Sequence, residues 1–304
     1  MAFEDEVRQL LPTDLNHADN INEVSRDLYN VMGRRFSNPN MLINGNFTNA
    51  VNQRGKSEYT ISGQYTIDRW KLISNGKVSI SSDGLAVDAA GSSVGYIYIV
   101  QILENNITEG TKVTLSWCDE NGIYSAMGEV PTKPSEGASF FATAYGNGDS
   151  SNTYMRCSLS YINNMSVELV CSANNIIKWV KLEYGETATP FVPRLYAEEL
   201  ALCQRYYFNA NIYPQLTPYV MWARGTTELY GNIVFPVSMR IVPKLTNITA
   251  RSNNNGQFYK LTECTSHLSQ LGTGCLFNIV SEIPETIVDG LSYMIGFEAD
   301  AEVY

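Results

Sequence analysis

Histidine is nearly missing from this sequence: 304 residues hold only His17 and His267. Two imidazoles so far apart cannot make a histidine-rich metal site, and neither sits in HExxH or a similar spacing. Charge is scarce too. Charged residues make up 17% of the chain, and 21 basic side chains scattered among 31 acidic ones leave a net charge of −10. A nucleic-acid binder needs clustered Lys/Arg to neutralise phosphates, so nucleic acid is excluded as the main partner. The acidity is read as an aid to solubility. The cysteines at 118, 157, 171, 203, 264 and 275 include no CxxC, and no pair of them is backed by a histidine at metal-ligand spacing, which argues against zinc. They are read as reduced core residues, with Cys203 among apolar neighbours in ELALCQRYY.

Other absences concern location and catalysis. No apolar run reaches the length of a membrane span, so no membrane insertion is expected. Met-Ala-Phe-Glu-Asp-Glu opens without the basic and apolar regions of a secretory signal, which leads us to expect synthesis and folding in a cytoplasm. A P-loop and a GxGxxG at a strand–helix junction are lacking, and the GxSxG spelling at Gly91-Ser92-Ser93-Val94-Gly95 leads into the strand-like run 96–102 and not into the helix that a nucleophile elbow needs. Acids are plentiful, but a glycosidase needs two of them facing across a cleft, and sequence cannot bring two together. Asp119-Glu120 looks like part of a turn. Asp68, beside Arg69 and Trp70, is read as half of an ion pair closing over a buried indole, since buried charges are normally paired. No catalytic residue, metal ligand or cofactor is assigned.

What the chain does have is apolar and aromatic side chain. Hydrophobic residues make up 44%, with 19 Tyr, 11 Phe and 4 Trp, types that fit a pleated, half-buried surface. Frequent Asn, Ser and Thr compete with helix hydrogen bonding and favour turns. The length suits two modest domains and an appendage.

Residues 1–36 form the appendage. Thr13 can cap a helix that Gly33 ends. Within it Ile21, Val24, Leu28 and Val31 recur at three- and four-residue steps, a narrow oligomerisation seam on which His17 is a polar register residue. So thin a stripe is marginal alone. It needs either copies of itself or a docking surface on its own β domain, and a strict seam suits an oligomeric bundle better.

After the Ser37-Asn38-Pro39-Asn40 break, residues 41–193 alternate short strands with turns. The runs are 77–81, 85–87, 96–102, 111–118, 139–145, 155–161, 165–170 and 176–183, a pattern of the jelly-roll β-sandwich type. A linking helix is expected over Glu198 to Tyr206. Strands then resume at 231–235, 245–251, 257–261, 275–280 and 293–299, so 198–304 is expected to be a smaller β-sandwich. The fold class is therefore mainly β. Within 206–230 aromatics crowd together, and Tyr213, Tyr219, Trp222 and Arg224, with Tyr259 beyond, are the candidate ligand contacts. Tyr and Trp offer flat area with a polar tip, suited to interfaces and to sugar rings. The plain alternative for each is a place in the core or a subunit contact.

Particular words in the chain carry a resemblance. Met41-Leu42-Ile43-Asn44-Gly45-Asn46-Phe47, Asn52-Gln53-Arg54-Gly55 and Asp68-Arg69-Trp70 open the module, and Trp179 to Gly185 with Ala188 to Arg194 closes it. With the helix 198–207 and Phe235-Pro236-Val237-Ser238-Met239-Arg240 after it, this resembles bacteriophage tail or collar fibre proteins. Such proteins carry a module that looks like a carbohydrate-binding jelly roll. The resemblance spans 41 to about 243, and its motif positions look architectural: Asn44-Gly45 for a turn, Arg69-Trp70 and Trp179 for a core, Pro190 for a rigid exit. It implies a homotrimeric virion appendage that docks to other virion proteins through its N terminus. The β domains would then face a host-surface glycan or protein. A purely structural collar or capsid decoration protein, a polysaccharide-degrading tail enzyme and a prophage-derived carbohydrate-binding module are the rival readings.

Overall fold

A computed structural model describes residues 37–302, except 90–91, 93–94, 147–152, 172–173, 213–218, 226–227, 253–257, 261–263, 272–273 and 282–287. From 252 to 287 only backbone is described. The expected N-terminal helix, with Ile21, Val24, Leu28 and Val31, lies outside the described residues. The chain is mainly β, and the described residues contain one α-helix.

The first lobe holds twelve strands: β1 (Glu58–Tyr59), β2 (Lys71–Leu72), β3 (Lys77–Ser81), β4 (Gly84–Asp88), β5 (Ile97–Ile102), β6 (Lys112–Cys118), β7 (Ile123–Glu129), β8 (Ala138–Tyr145), β9 (Tyr154–Ser160), β10 (Met165–Cys171), β11 (Asn175–Ile177) and β12 (Trp179–Tyr184). They form three antiparallel sheets in the orders β1-β3-β4-β11, β2-β5-β10-β9-β8 and β12-β6-β7. Side chains alternate across a strand, and the inward set, including Trp70, Trp117, Leu115, Met155, Val167 and Leu169, makes one sandwich-like core. Trp117 donates its indole N–H to the Ala144 carbonyl at 3.0 Å. Strand β7 meets β8 where β8 bulges between Phe140 and Ala142. A Cβ on Gly128 would sit 1.8 Å from the Phe141 carbonyl oxygen, so only glycine fits.

Helix α1 (Tyr196–Gln204) follows, with Glu198 and Glu199 favourably placed in its first turn. The second lobe contains β13 (Tyr207–Asn209), β14 (Val220–Arg224), β15 (Glu228–Ile233), β16 (Lys244–Ser252), β17 (Phe258–Lys260), β18 (Cys264–Leu271), β19 (Gly274–Ser281) and β20 (Ser292–Asp300). One antiparallel sheet runs β17-β16-β20-β14-β15-β19-β18, with β13 also paired to β20. Its buried face gathers Met221, Leu229, Tyr293, Ile295 and Phe297 into a second core. The rings of Phe208, Tyr219 and Phe235 pack on Phe297 within 6.2 Å.

Sequence and structure agree on most strands and differ at several points. The run expected over 176–183 is two strands broken at Lys178, whose N–H bonds Cys118. Strands β1, β2, β7, β13, β14 and β18 lacked a recognised sequence signal. Trp179 is not a core residue: it is half-buried and stacks face to face on Phe191, ring centroids 4.7 Å apart. Cys157, Cys171 and Cys203 are free and buried, and Cys118 is free and half-buried. Asp119 is the expected turn residue, its carboxylate accepting from the Asn121 and Gly122 amides.

Two polar clusters fix the chain where the first lobe begins and ends. Lys181 is 1% exposed, and its ammonium binds Glu183, the Thr189 hydroxyl and the Pro190 carbonyl. Ser37 also donates to that carbonyl, at 2.7 Å. The rigid exit read from Pro190 is thus a clasp between the lobe's first and last residues. In the second cluster Arg194 reaches Glu199 and the carbonyls of Leu42 and Asn40.

Candidate ligand-binding face

In β14 the alternation Val220-Met221-Trp222-Ala223-Arg224 turns Met221 and Ala223 into the core and leaves Val220, Trp222 and Arg224 outside. Trp222 is 51% exposed and lies opposite Tyr230 of β15, itself 47% exposed. On the other side Trp222 faces Ser292, and Val220 faces Met294, both of β20. The neighbouring strands thus present an indole, a phenol and two aliphatic side chains in adjacent register positions, with Arg224 at the rim. Cross-strand partners of this kind stand about 5 Å apart. Gly231 lets β14 come close, since a Cβ there would lie 2.9 Å from the Val220 carbonyl oxygen.

Of the residues singled out from sequence, the structure brings together Trp222 and Arg224. Tyr219 departs from that reading. It is 5% exposed, donates its hydroxyl to the Val234 carbonyl at 2.8 Å, and packs on Phe208 and Phe297. Strand alternation explains this, for Tyr219 shares its parity with Met221. Tyr213 lies outside the described residues, and for Tyr259 only the backbone, in β17, is described. Tyr230 belongs with Trp222, and the signal that finds it is its register.

Tyr206 and Tyr207, from the same aromatic stretch, are buried between the lobes. Here too lies the ion pair expected of Asp68 beside the buried indole, with Arg54 as its partner. Asp68 accepts from Arg54 at 2.9 Å and from Gln53 Nε2 at 2.8 Å. Arg69 pairs with Glu302 at 2.5 Å, and Arg54 reaches the same carboxylate at 3.4 Å. Arg69 adopts a left-handed backbone, φ 72°, which turns its side chain away from its neighbour and towards the second lobe. Each guanidinium is capped by a ring: Tyr207 lies 3.9 Å from Arg54 and Tyr206 3.7 Å from Arg69. Gln53 also donates to the Tyr207 carbonyl, and Asn209 returns a bond to the Gln53 carbonyl. The Trp70 indole, fully buried beneath, donates to the Asn44 carbonyl.

Burial pushes the Asp68 carboxyl up to about 6, against the opposing pull of Arg54 and Gln53. The Tyr206 hydroxyl is likewise pushed up to about 12 by burial, and it donates to Glu104. These acids are held by cations and amides on all sides, so the cluster is suited to fixing two lobes against each other. Among the described residues no group of three His, Cys, Asp or Glu could hold a metal ion. None of the described helices is long and apolar enough to cross a membrane. Comparison with protein-family models, with curated proteins and with solved structures found no match to this chain.

Proposed function

We propose that this chain is a non-enzymatic display protein, a homotrimeric phage appendage that holds β domains out to a host-surface glycan. In this reading the first lobe is a jelly-roll sandwich and the second, built on one antiparallel sheet, is the β head. Residues 1–36 gather three copies and dock to other virion proteins. The phage setting rests on the resemblance of the motifs between 41 and about 243. The observation that carries recognition is the outward Trp222–Tyr230 pair, with Arg224 beside it. Solvent-facing indole and phenol rings on a rigid sheet cost little side-chain entropy to bind with and stack on flat apolar faces. Three copies on one particle would make weak single sites useful together.

The test is a glycan array probed with the full chain and with Trp222→Ala. Loss of signal, to about a tenth of the wild-type affinity or less, is the expected result. Equal binding by the two proteins, or none by either, removes the head face as the receptor site.

A further inference from the structure

Where the two lobes meet beside the Arg54–Asp68 pair, they leave a half-open cavity of about 350 Å³. That is the small end of the range for ligand pockets, roughly 300–1,000 Å³. The first lobe lines it with Arg54, Lys56 and Gln64, and the second with Glu298, Asp300 and Asn247. Register explains the second wall. Glu298 and Asp300 stand two positions apart on β20, so both point to the side on which Tyr207 of β13 lies opposite Asp300. The Arg54 guanidinium covers that end of the sheet, 3.9 Å from the Tyr207 ring. Strand β16 is bulged between Thr246 and Thr249, and Asn247 within the bulge has a left-handed backbone, φ 48°. Bulges recur beside binding sites because they re-aim a side chain.

The charges on the lining are sorted by lobe, cations on the first and carboxylates on the second. Arg54 is committed to Asp68 and Glu302. Lys56 and Glu298, in contrast, have no ionic partner among the described residues. Lys56 is exposed and Glu298 half-buried. The Glu298 carboxylate accepts from the Tyr207 hydroxyl, which burial and then the Glu298 charge push up, so it stays a donor. Beside it Asp300 accepts from the Glu302 amide at 2.9 Å. Two further cations stand outside the lining: Lys71 is 5.7 Å from the Tyr65 ring, and Lys244 is the register partner of Asp300.

We propose that this cleft takes a small zwitterion, its oxyanion held by Lys56 of the first lobe and its ammonium by Glu298 and Asp300 of the second. Repulsion selects the ligand as much as attraction does. A simple anion meets two carboxylates on the far wall, and a simple cation meets Lys56 and the Arg54 guanidinium. Gln64 and Asn247 add amides, each able to donate and to accept. Carboxylate and phosphate both satisfy Lys56, so the ligand class is an ammonium and either oxyanion on a short chain. With one end held by each lobe, the bound molecule ties the lobes together and stabilises the whole chain. The cleft lies about 20 Å along β20 from Ser292, the register partner of Trp222. It therefore stands or falls without the glycan reading of the head face.

The test is isothermal titration calorimetry of the full chain with β-alanine and with phosphoethanolamine, against acetate, inorganic phosphate and ethylammonium as single-charge controls. We expect at least one zwitterion to bind about tenfold or more tighter than every control. Tighter binding of β-alanine marks a carboxylate ligand, and of phosphoethanolamine a phosphate. Glu298→Gln, which keeps an acceptor for Tyr207, should weaken that binding about tenfold or more. Lys56→Met, at an exposed position that spares the fold, should do the same. The zwitterion that binds should also raise the melting temperature of the wild type more than that of either variant. The inference is overturned if neither zwitterion binds, if a control binds as tightly, or if either variant matches the wild type.

Discussion

Asp68 carries its charge where no water reaches it. Its carboxyl is fully buried, and the desolvation exceeds what Arg54, at 2.9 Å, gives back. The folded-state value, about 6 against an ordinary 3.8, lies above the unfolded one. Between those values the folded chain holds a proton that the unfolded chain has shed, so this group's contribution to stability is full below about pH 4 and fades as pH rises through 6. The shift corresponds to roughly 3 kcal/mol. We therefore expect urea midpoints of the wild type, compared with Asp68→Asn, to lose ground steadily from pH 4.5 to 7. A constant difference between the two proteins over that range would show that Asp68 does not titrate there. At this scale the sequence was partly legible. That Asp68 is paired could be argued from chemistry; that its partner is Arg54 could not, because the φ of 72° at Arg69 leaves no mark in the residue types.

At the scale of elements, legibility followed period and turn chemistry. Strands such as β3, β10 and β20 alternate clearly over five residues or more and were found within one or two positions. Short strands such as β1 and β2, two residues each, exist only because a neighbour pairs with them. Strand β7 was hidden for another reason, since Ser125, Ala126 and Gly128 supply little hydrophobic signal. Yet its Gly128 governs how two sheets approach. A methyl group there would overlap the Phe141 backbone, which no side-chain rotation can relieve. Gly128→Ala should cost about 2–4 kcal/mol in chemical denaturation, whereas the same change at Gly137, with open space around it, should cost about 1 through its φ of 67°. Similar losses at both positions would mean that the β7–β8 approach relaxes freely.

For the whole molecule the deciding contacts join chain positions that no local pattern relates. Glu302 is fully buried beside Arg69 and Arg54, 233 and 248 residues earlier in the chain. Arg240 holds the same end through the Ala301 and Glu302 carbonyls, and the Ala301 amide bonds Tyr206. The chain has two clusters of buried apolar residues, and composition carries no sign of the polar joint between them. Arg69 of the first lobe has its counter-charge on Glu302, which also adds to the Asp68 carboxylate beside Arg54, so parting the lobes would take from Arg69 its ionic partner and from both guanidiniums their covering rings. The lobes should accordingly melt together. In Glu302→Gln both arginines lose a full negative charge while shape and most hydrogen bonding persist, so the cost, about 3–5 kcal/mol, falls on the joint rather than on either core. Calorimetry should show one transition for the wild type and two for this variant, with the first lobe's tryptophan fluorescence changing apart from the second's. A single transition in both proteins, shifted equally for every probe, would mean that the cores couple through apolar contact and that the ionic joint adds only stability.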